Sequence, residues 1–269
     1  MLQPYRFSPG TTPLLVSCPH VGTHIPAGIA ARMTDDALEL ADTDWHIERL
    51  YGFARGLGAS MLVATHSRYV IDLNRPPDGS VLYANANNTE LCPTTRFDLK
   101  PVYRGGQAPD EAEIKARVER YWRPYHDRLA VELKRLKERF GYALLWDAHS
   151  IASDVPRFHQ GKLWDLNLGS ADGTSAARDL IERAADICRS ASPYTAAIDG
   201  RFKGGHHPHL WPPGRGRARD PARAVAGDIH GRGAALSLAG RSRRGRHADA
   251  EAPDRLDAGL EAGSVTTKR

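Results

Sequence analysis

Cysteine is scarce in this chain. Its three cysteines, Cys18, Cys92 and Cys188, are an odd, widely spaced set with no Cys-x-x-Cys pair. That excludes a disulfide framework and a thiolate zinc site, so any metal must be held by histidine and carboxylate. Apolar runs of membrane length are missing too, and Met1 to Gly10 has neither the basic start nor the apolar stretch of a secretory leader. The expectation is a soluble cytoplasmic protein with no membrane partner.

Net charge is absent from most of the chain. The formal charge is +5, but residues 206–269 hold 12 of the 37 Lys and Arg and 7 of the 32 Asp and Glu, leaving 25 of each for residues 1–205. A neutral body argues against a nucleic-acid partner, because a basic surface is a footprint only on a folded face. Residues 206–269 also contain no Phe, Tyr, Asn or Gln and a single Lys. No window there supplies a strand or a helix with a full apolar face, so the segment is expected to be a poorly ordered tail on an α/β domain of residues 1–205.

Within that domain, short apolar runs end abruptly in polar clusters. Tyr142 to Ser150 reads Tyr-Ala-Leu-Leu-Trp-Asp-Ala-His-Ser, a buried-strand pattern ending in Asp147, His149 and Ser150. Open α/β sheets present functional groups at such strand ends. Leu14 to Ser17 runs likewise into Cys18-Pro19-His20-Val21-Gly22, where Pro and Gly force a turn just beyond the strand. Ser60 to Thr65 and Tyr69 to Leu73 are further expected strands, the latter stopped by Pro76 with Asn74 and Arg75 at its tip. A short strand is expected near Thr94 to Phe97.

Helical spacing of Ile47, Leu50, Tyr51 and Ala54 predicts a helix that begins near Asp42 and carries Asp44 in its first turn. Glu111 to Arg139 is the longest helical pattern, with an apolar stripe from Ile114 to Leu136 and Pro124 set to kink or divide it. Leu163 to Leu168 and Tyr194 to Ile198 read as strands around a helix from about Ser175 to Arg189. Alternating strands and helices give an α/β fold with a mixed, largely parallel sheet.

His20, Asp44 and His149 thus fall at one edge of the sheet and supply two imidazoles and a carboxylate. That set suits a catalytic Zn²⁺, which takes about three protein ligands and leaves a position for water. Asp42 and His46 remain alternatives to Asp44, and His24, His46 and His66 are alternative ligands. Asp147 is placed to orient a ligating histidine from behind. Arg75, or else Arg68 or Arg201, offers a planar fork for a substrate carboxylate, with Asn74 beside it. A different chemistry would use Cys18 as a nucleophile assisted by histidine.

The segments Cys-Pro-His20-Val-Gly-Thr-His-Ile-Pro, Asp-Thr-Asp44-Trp-His-Ile-Glu-Arg-Leu-Tyr, Tyr-Val-Ile-Asp-Leu-Asn74-Arg75-Pro-Pro, Trp-Asp147-Ala-His149-Ser, Asp-Leu-Asn-Leu-Gly-Ser-Ala-Asp-Gly and Gly-Arg201-Phe-Lys-Gly-Gly, in this order, resemble the N-formylglutamate deformylase family. The resemblance implies a three-layer, phosphorylase/hydrolase-like sandwich related to the zinc carboxypeptidases. It implies one Zn²⁺ held by His20, Asp44 and His149, and a small N-acyl amino acid as substrate, gripped by Asn74, Arg75 and Arg201. The implied reaction is hydrolysis of N-formyl-L-glutamate to formate and L-glutamate in histidine degradation. Another N-acyl acidic amino acid is the alternative substrate.

Past Gly205 the text departs from the family, which continues with a segment like Tyr-Ile-Thr-Arg-x-Tyr-Gly-x-Pro and later a Gln-x-Glu motif. Here His206-His207-Pro208-His209-Leu210-Trp211-Pro212-Pro213 follows. Codons for these residues, read one nucleotide later, yield Ile-Thr-Arg-Thr-Tyr-Gly-Arg-Pro. The expectation is a frameshift near codon 205 that removes the family's general-base glutamate and impairs catalysis; the only glutamates beyond it are Glu251 and Glu261.

Overall fold

A computed structural model describes residues 2–80, 88–191 and 193–204. The tail expected for residues 206–269 lies outside the described residues.

Strands β1 (Tyr5–Ser8), β2 (Leu14–Cys18), β3 (Ser60–Ala64) and β4 (Leu144–Asp147) form a mixed sheet in the order β1-β3-β2-β4. β2 lies parallel to both β3 and β4, whereas β1 closes the other edge antiparallel to β3. The register pairs Ser17 with Leu62 on one side and with Asp147 on the other. The carboxyl ends of three neighbouring strands therefore line one edge, where ligand sites of α/β sheets lie. Strands β5 (Leu166–Leu168) and β6 (Ala196–Ile198) make a second, parallel pair.

β2 and β3 read as apolar on both faces because both faces are covered: Leu15, Val16, Met61, Leu62 and Val63 are all buried. After four one-turn helices, α1 (Ala27–Ala30), α2 (Asp35–Leu38), α3 (Ile47–Leu50) and α4 (Phe53–Gly56), the long helical pattern supplies much of the cover. Helix α5 (Glu111–Arg117) starts where the Asp110 side chain accepts a bond from the Glu113 backbone N–H at 2.8 Å. It runs into a single π turn, Val118–Trp122, and on into α6 (Arg123–Phe140), which ends on Gly141 in the left-handed conformation. α6 packs on β2, and its Tyr125, Leu129, Leu133 and Leu136, spaced by three and four residues, are buried. Each such side chain contributes about 1.5–3 kcal/mol. The kink or division expected at Pro124 is not a break: the helix continues through the π turn, which ends just before the proline in the first turn of α6.

Three further expectations are corrected. Tyr69–Leu73 is no strand: Tyr69, Val70, Ile71 and Leu73 are buried, but their backbone groups bond outside any ladder. Arg117 Nη1 donates to Val70 O at 2.9 Å, and the Asp72 N–H donates to Leu91 O at 2.7 Å. Apolar content reported burial, which a well-bonded loop also provides. Likewise Asp44 precedes its helix. The segment divides at Gly52 into short helices α3 (Ile47–Leu50) and α4 (Phe53–Gly56), with His46 at φ 65° turning the chain into α3. Phe97 lies outside any strand as well; only an isolated bridge, Thr95 to Pro101, forms there.

Candidate metal centre

Each group in this site is set by a strand end. His20 follows β2 by two residues, and the Asp44 N–H donates to His20 O at 3.0 Å, tying the second segment to the first. His149 follows β4, which is in register with β2. His20, Asp44 and His149, all buried, bring one donor atom each to within 4.8 Å of one another and form a group that could hold a metal ion.

The two imidazoles are oriented alike. His20 Nε2 lies 2.8 Å from Asp72 Oδ1, and its Nδ1 is 3.8 Å from Asp44 Oδ2. His149 Nε2 lies 2.9 Å from Asp147 Oδ2, and its Nδ1 is 2.8 Å from the same Asp44 oxygen. A carboxylate accepts only, so Asp72 and Asp147 each accept from an Nε2–H; His149, whose Nδ1 also meets an Asp44 oxygen at 2.8 Å, donates from both nitrogens as the imidazolium, and a metal ion would take the place of its Nδ1 proton. Carboxylate-backed imidazole is the usual support of a metal-bound histidine.

A further layer holds the supports. Arg68 Nη2 donates to Asp72 Oδ2 at 2.6 Å, and the Asn74 N–H donates to Asp72 Oδ1 at 2.9 Å. Burial pushes the Asp72 carboxyl upward, but His20, Arg68 and Arg75 outweigh it and hold it well below the usual range. For Asp44, burial is likewise outweighed by His149, His20 and Arg68, and its pKa is lowered. In His20 burial prevails, aided by Arg68, and lowers the imidazole despite Asp72. His149 goes the other way: burial opposes its charge, but Asp147 and Asp44 raise it well above the ordinary value. Three buried carboxylates, Asp44, Asp72 and Asp147, surround the two imidazoles, with Arg68 and Arg75 behind Asp72, a donor set suited to a divalent cation.

Asn74 and Arg75 sit beside this group. Asn74 Nδ2 donates to Asp147 Oδ2 at 2.9 Å and lies 2.7 Å from His149 Nε2, while its Oδ1 is buried without a partner among the described residues. Arg75 donates from Nε to Thr89 O at 2.9 Å, from Nη1 to Asn74 O at 3.1 Å and from Nη2 to Thr89 Oγ1 at 2.8 Å. Of five N–H donors, one on each terminal nitrogen has no partner among the described residues. A cleft of about 760 Å³ opens alongside, lined by Thr43 and Trp45 on either side of Asp44, by Ser150 just beyond His149, and by Arg96 and Phe97.

The other candidates are placed elsewhere. Asp42 Oδ2 accepts from the Phe97 N–H, and His46 lines the cleft. His24 and His66 face each other with ring centroids 4.9 Å apart. Arg68 backs Asp72, and Arg201 donates to Phe158 O while lying over the Phe158 and Phe202 rings. Cys18 is fully buried, and burial with Asp147 and Glu48 pushes its thiol far up, which argues against a nucleophile. Asp72 was given no role from the sequence; its place two residues before Asn74, as Asp147 stands two before His149, was the available signal.

Comparison with known proteins places this geometry. The family model described as N-formylglutamate amidohydrolase matches residues 12–219. The chain is 50% identical over 200 residues to the N-formylglutamate deformylase of Pseudomonas putida, covering 74% of each chain. It is equally similar to that of Pseudomonas aeruginosa, covering 74% of this chain and 75% of the relative. A crystal structure of N-formylglutamate amidohydrolase from Ralstonia eutropha JMP134 superposes with a TM-score of 0.66 at 25% identity, over 85% of this chain and 86% of that one. A gene product of Agrobacterium tumefaciens, 17% identical, shares the fold with a TM-score of 0.64 over 85% of each chain.

Proposed function

The chain belongs to the N-formylglutamate amidohydrolase family, and from that premise we propose that it hydrolyses N-formyl-L-glutamate to formate and L-glutamate with one bound Zn²⁺. The observation that carries this reading is the pair of carboxylate-backed imidazoles, His20 and His149, turning Nδ1 toward one Asp44 oxygen.

His20, Asp44 and His149 would hold the ion; a buried set of two nitrogens and one oxygen without thiolate favours zinc. Bound there, Zn²⁺ supplies Lewis acidity and a water acidic enough to attack an amide at neutral pH. The protein does the rest. Asp72 and Asp147 hold the Nε2 protons, so Nδ1 is the nitrogen each histidine would turn to the ion, His149 giving up its Nδ1 proton on binding. The two remaining Arg75 N–H donors take a substrate carboxylate, and Asn74 lies between that carboxylate and His149. Arg201 acts more remotely, buttressing Phe158 and its neighbour Arg157, which donates to Asn88 O beside Thr89. In the balanced reaction, water gives hydroxyl to the formyl carbon and a proton to the departing amine as the C–N bond breaks.

On this reading the reaction is the one that releases glutamate in histidine degradation. A cytoplasmic site of action is supported by Cys18, Cys92 and Cys188, all buried free thiols. A three-layer architecture of the zinc carboxypeptidase kind is supported by the largely parallel sheet with the site at its carboxyl edge.

A second reading, an impaired relative, is favoured by one observation: past Gly205 the sequence departs from the family, and the only glutamates beyond it are Glu251 and Glu261. Loss of a general base costs roughly 10²- to 10⁴-fold in rate. Formate release from N-formyl-L-glutamate, measured with added Zn²⁺ and with a chelator, separates the outcomes. Turnover that needs Zn²⁺ supports the enzyme. Weak turnover, raised when the family-like reading frame is restored after codon 205, supports the impaired relative. Turnover indifferent to chelation overturns the metal centre.

A further inference from the structure

We propose that Trp122 and His126 are positioning residues that aim Asn74 and Arg75 at the substrate, acting through the two backbone carbonyls on either side of Asn74. The inference rests on the functional reading above.

The loop tip is bonded at every backbone polar group. The Asn74 N–H donates to Asp72 Oδ1, Asn74 O accepts from Arg75 Nη1, and the Arg75 N–H donates to Asp72 O at 3.1 Å. Those bonds are internal to the loop and would travel with it if it shifted. Asp72 and the Arg75 side chain are tied to Leu91, His20 and Thr89, and two further bonds hold the carbonyls of the tip to the helical segment. Trp122 Nε1–H donates to Arg75 O at 2.9 Å, and His126 Nε2 lies 2.8 Å from Leu73 O. A carbonyl only accepts, so His126 carries its proton on Nε2.

The two rings act as a unit. They stack at 3.7 Å between centroids with 17° between planes, and both residues are buried. Spaced by four residues, they share one helix face. The π turn Val118–Trp122 ends on Trp122 itself. Such a turn takes in one more residue than an α turn and so rotates the face of α6 relative to α5; π turns are frequent where a helix serves a site. A purely apolar core contact would need neither the indole N–H nor the imidazole, yet both polar atoms bond this one loop.

The consequence is geometric. Asn74 Nδ2 donates to Asp147 Oδ2 at 2.9 Å, the same oxygen that accepts from His149 Nε2–H, and a displacement of about 1 Å in such a positioning group costs up to about 10²-fold.

The test uses the full-length, zinc-loaded protein and N-formyl-L-glutamate, with L-glutamate binding followed by calorimetry. Trp122→Phe keeps the stacked ring and loses the N–H; His126→Gln keeps an N–H donor and His126→Leu does not. The expected result is that Trp122→Phe and His126→Leu each raise KM about 10-fold, with kcat within about threefold and glutamate affinity falling in step. His126→Gln recovers most of the loss. Leu129→Val, a mild core truncation on the same helix of a side chain that makes no hydrogen bond to the loop, leaves KM unchanged. Wild-type KM and glutamate affinity in Trp122→Phe, or an equal rise in KM in Leu129→Val, would overturn the inference. A wild type that neither turns over nor binds L-glutamate overturns the functional reading and this inference with it; an active wild type with an unaffected Trp122→Phe overturns this inference alone.

Discussion

Replacing Asp72 by asparagine separates what this carboxylate does for the fold from what it does for the metal. Asp72 is wholly buried and takes three donors: Arg68 Nη2 at 2.6 Å, His20 Nε2 at 2.8 Å and the Asn74 N–H at 2.9 Å. In Asp72→Asn the amide oxygen can serve His20 and Asn74, but the NH₂ group then faces the guanidinium, donor against donor. A unit charge pair near 4 Å is worth about 4 kcal/mol at an effective dielectric of 20, and breaking a buried pair typically costs about 3–5 kcal/mol. Asp72→Asn should therefore destabilise the metal-free protein by about 3–5 kcal/mol and weaken Zn²⁺ binding by about 10- to 100-fold. Adding Arg68→Met removes the orphaned cation and returns the formal charge of the buried cluster to its original value. The double variant should regain at least about 2 kcal/mol while its Zn²⁺ affinity stays low. Urea denaturation of the metal-free proteins and chelator-competition titration read the two quantities. Wild-type Zn²⁺ affinity in Asp72→Asn, or no recovery of stability in the double variant, would refute the reasoning.

Three further expectations concern neighbouring features. Burial, then His24 and Arg120, push the His66 imidazole down to about 4, with His24 and Tyr121 packed against its ring. An unfolded histidine binds its proton near pH 6.5, so this lowered group costs stability as pH falls from 6.5 to 4, by at most about 3 kcal/mol; His66→Phe should flatten that slope in urea melts, and an unchanged slope would refute it. At Gly22 a Cβ would lie 2.2 Å from His66 O, in a stretch pinned by the His24 N–H to Thr65 O; Gly22→Ala should cost roughly 3 kcal/mol and lower Tm, with Zn²⁺ affinity falling because His20 is two residues away. Arg75→Lys keeps the charge but loses the fork; it should raise KM for N-formyl-L-glutamate roughly 10- to 100-fold with a smaller change in kcat, and an unchanged KM would place the carboxylate elsewhere.

What the sequence made legible were the ends of strands. His20 and His149 stand just past apolar runs that stop abruptly, and parallel pairing of β2 with β4 turns that shared position into contact. Asp44 was found for a partly wrong reason: the helical spacing of Ile47, Leu50, Tyr51 and Ala54 continues across the break at Gly52, so periodicity hid the turn at His46 that delivers the carboxylate. The loop carrying Asp72, Asn74 and Arg75 looked like a strand because hydrophobicity reports burial and is silent on which backbone groups pair. Nor does composition signal a π turn; only the pairing of Trp122 and His126 with one loop reveals what it accomplishes.

The parallel strands that deliver the site also govern when it comes into being. Its contacts join residues far apart in the chain: His20 to Asp72 across 52 positions, Asn74 to Asp147 across 73, and Asp44 to His149 across 105. Closing such loops costs entropy before any of these contacts can repay it, so β4 docks late and the ligand set is complete only in the nearly native chain. An ion that recognises that set cannot guide collapse. It instead slows escape from the native basin, because the transition state for unfolding has already lost the ligands it holds. With zinc bound as proposed, metal supply would set how long a folded molecule lasts rather than how quickly it is made.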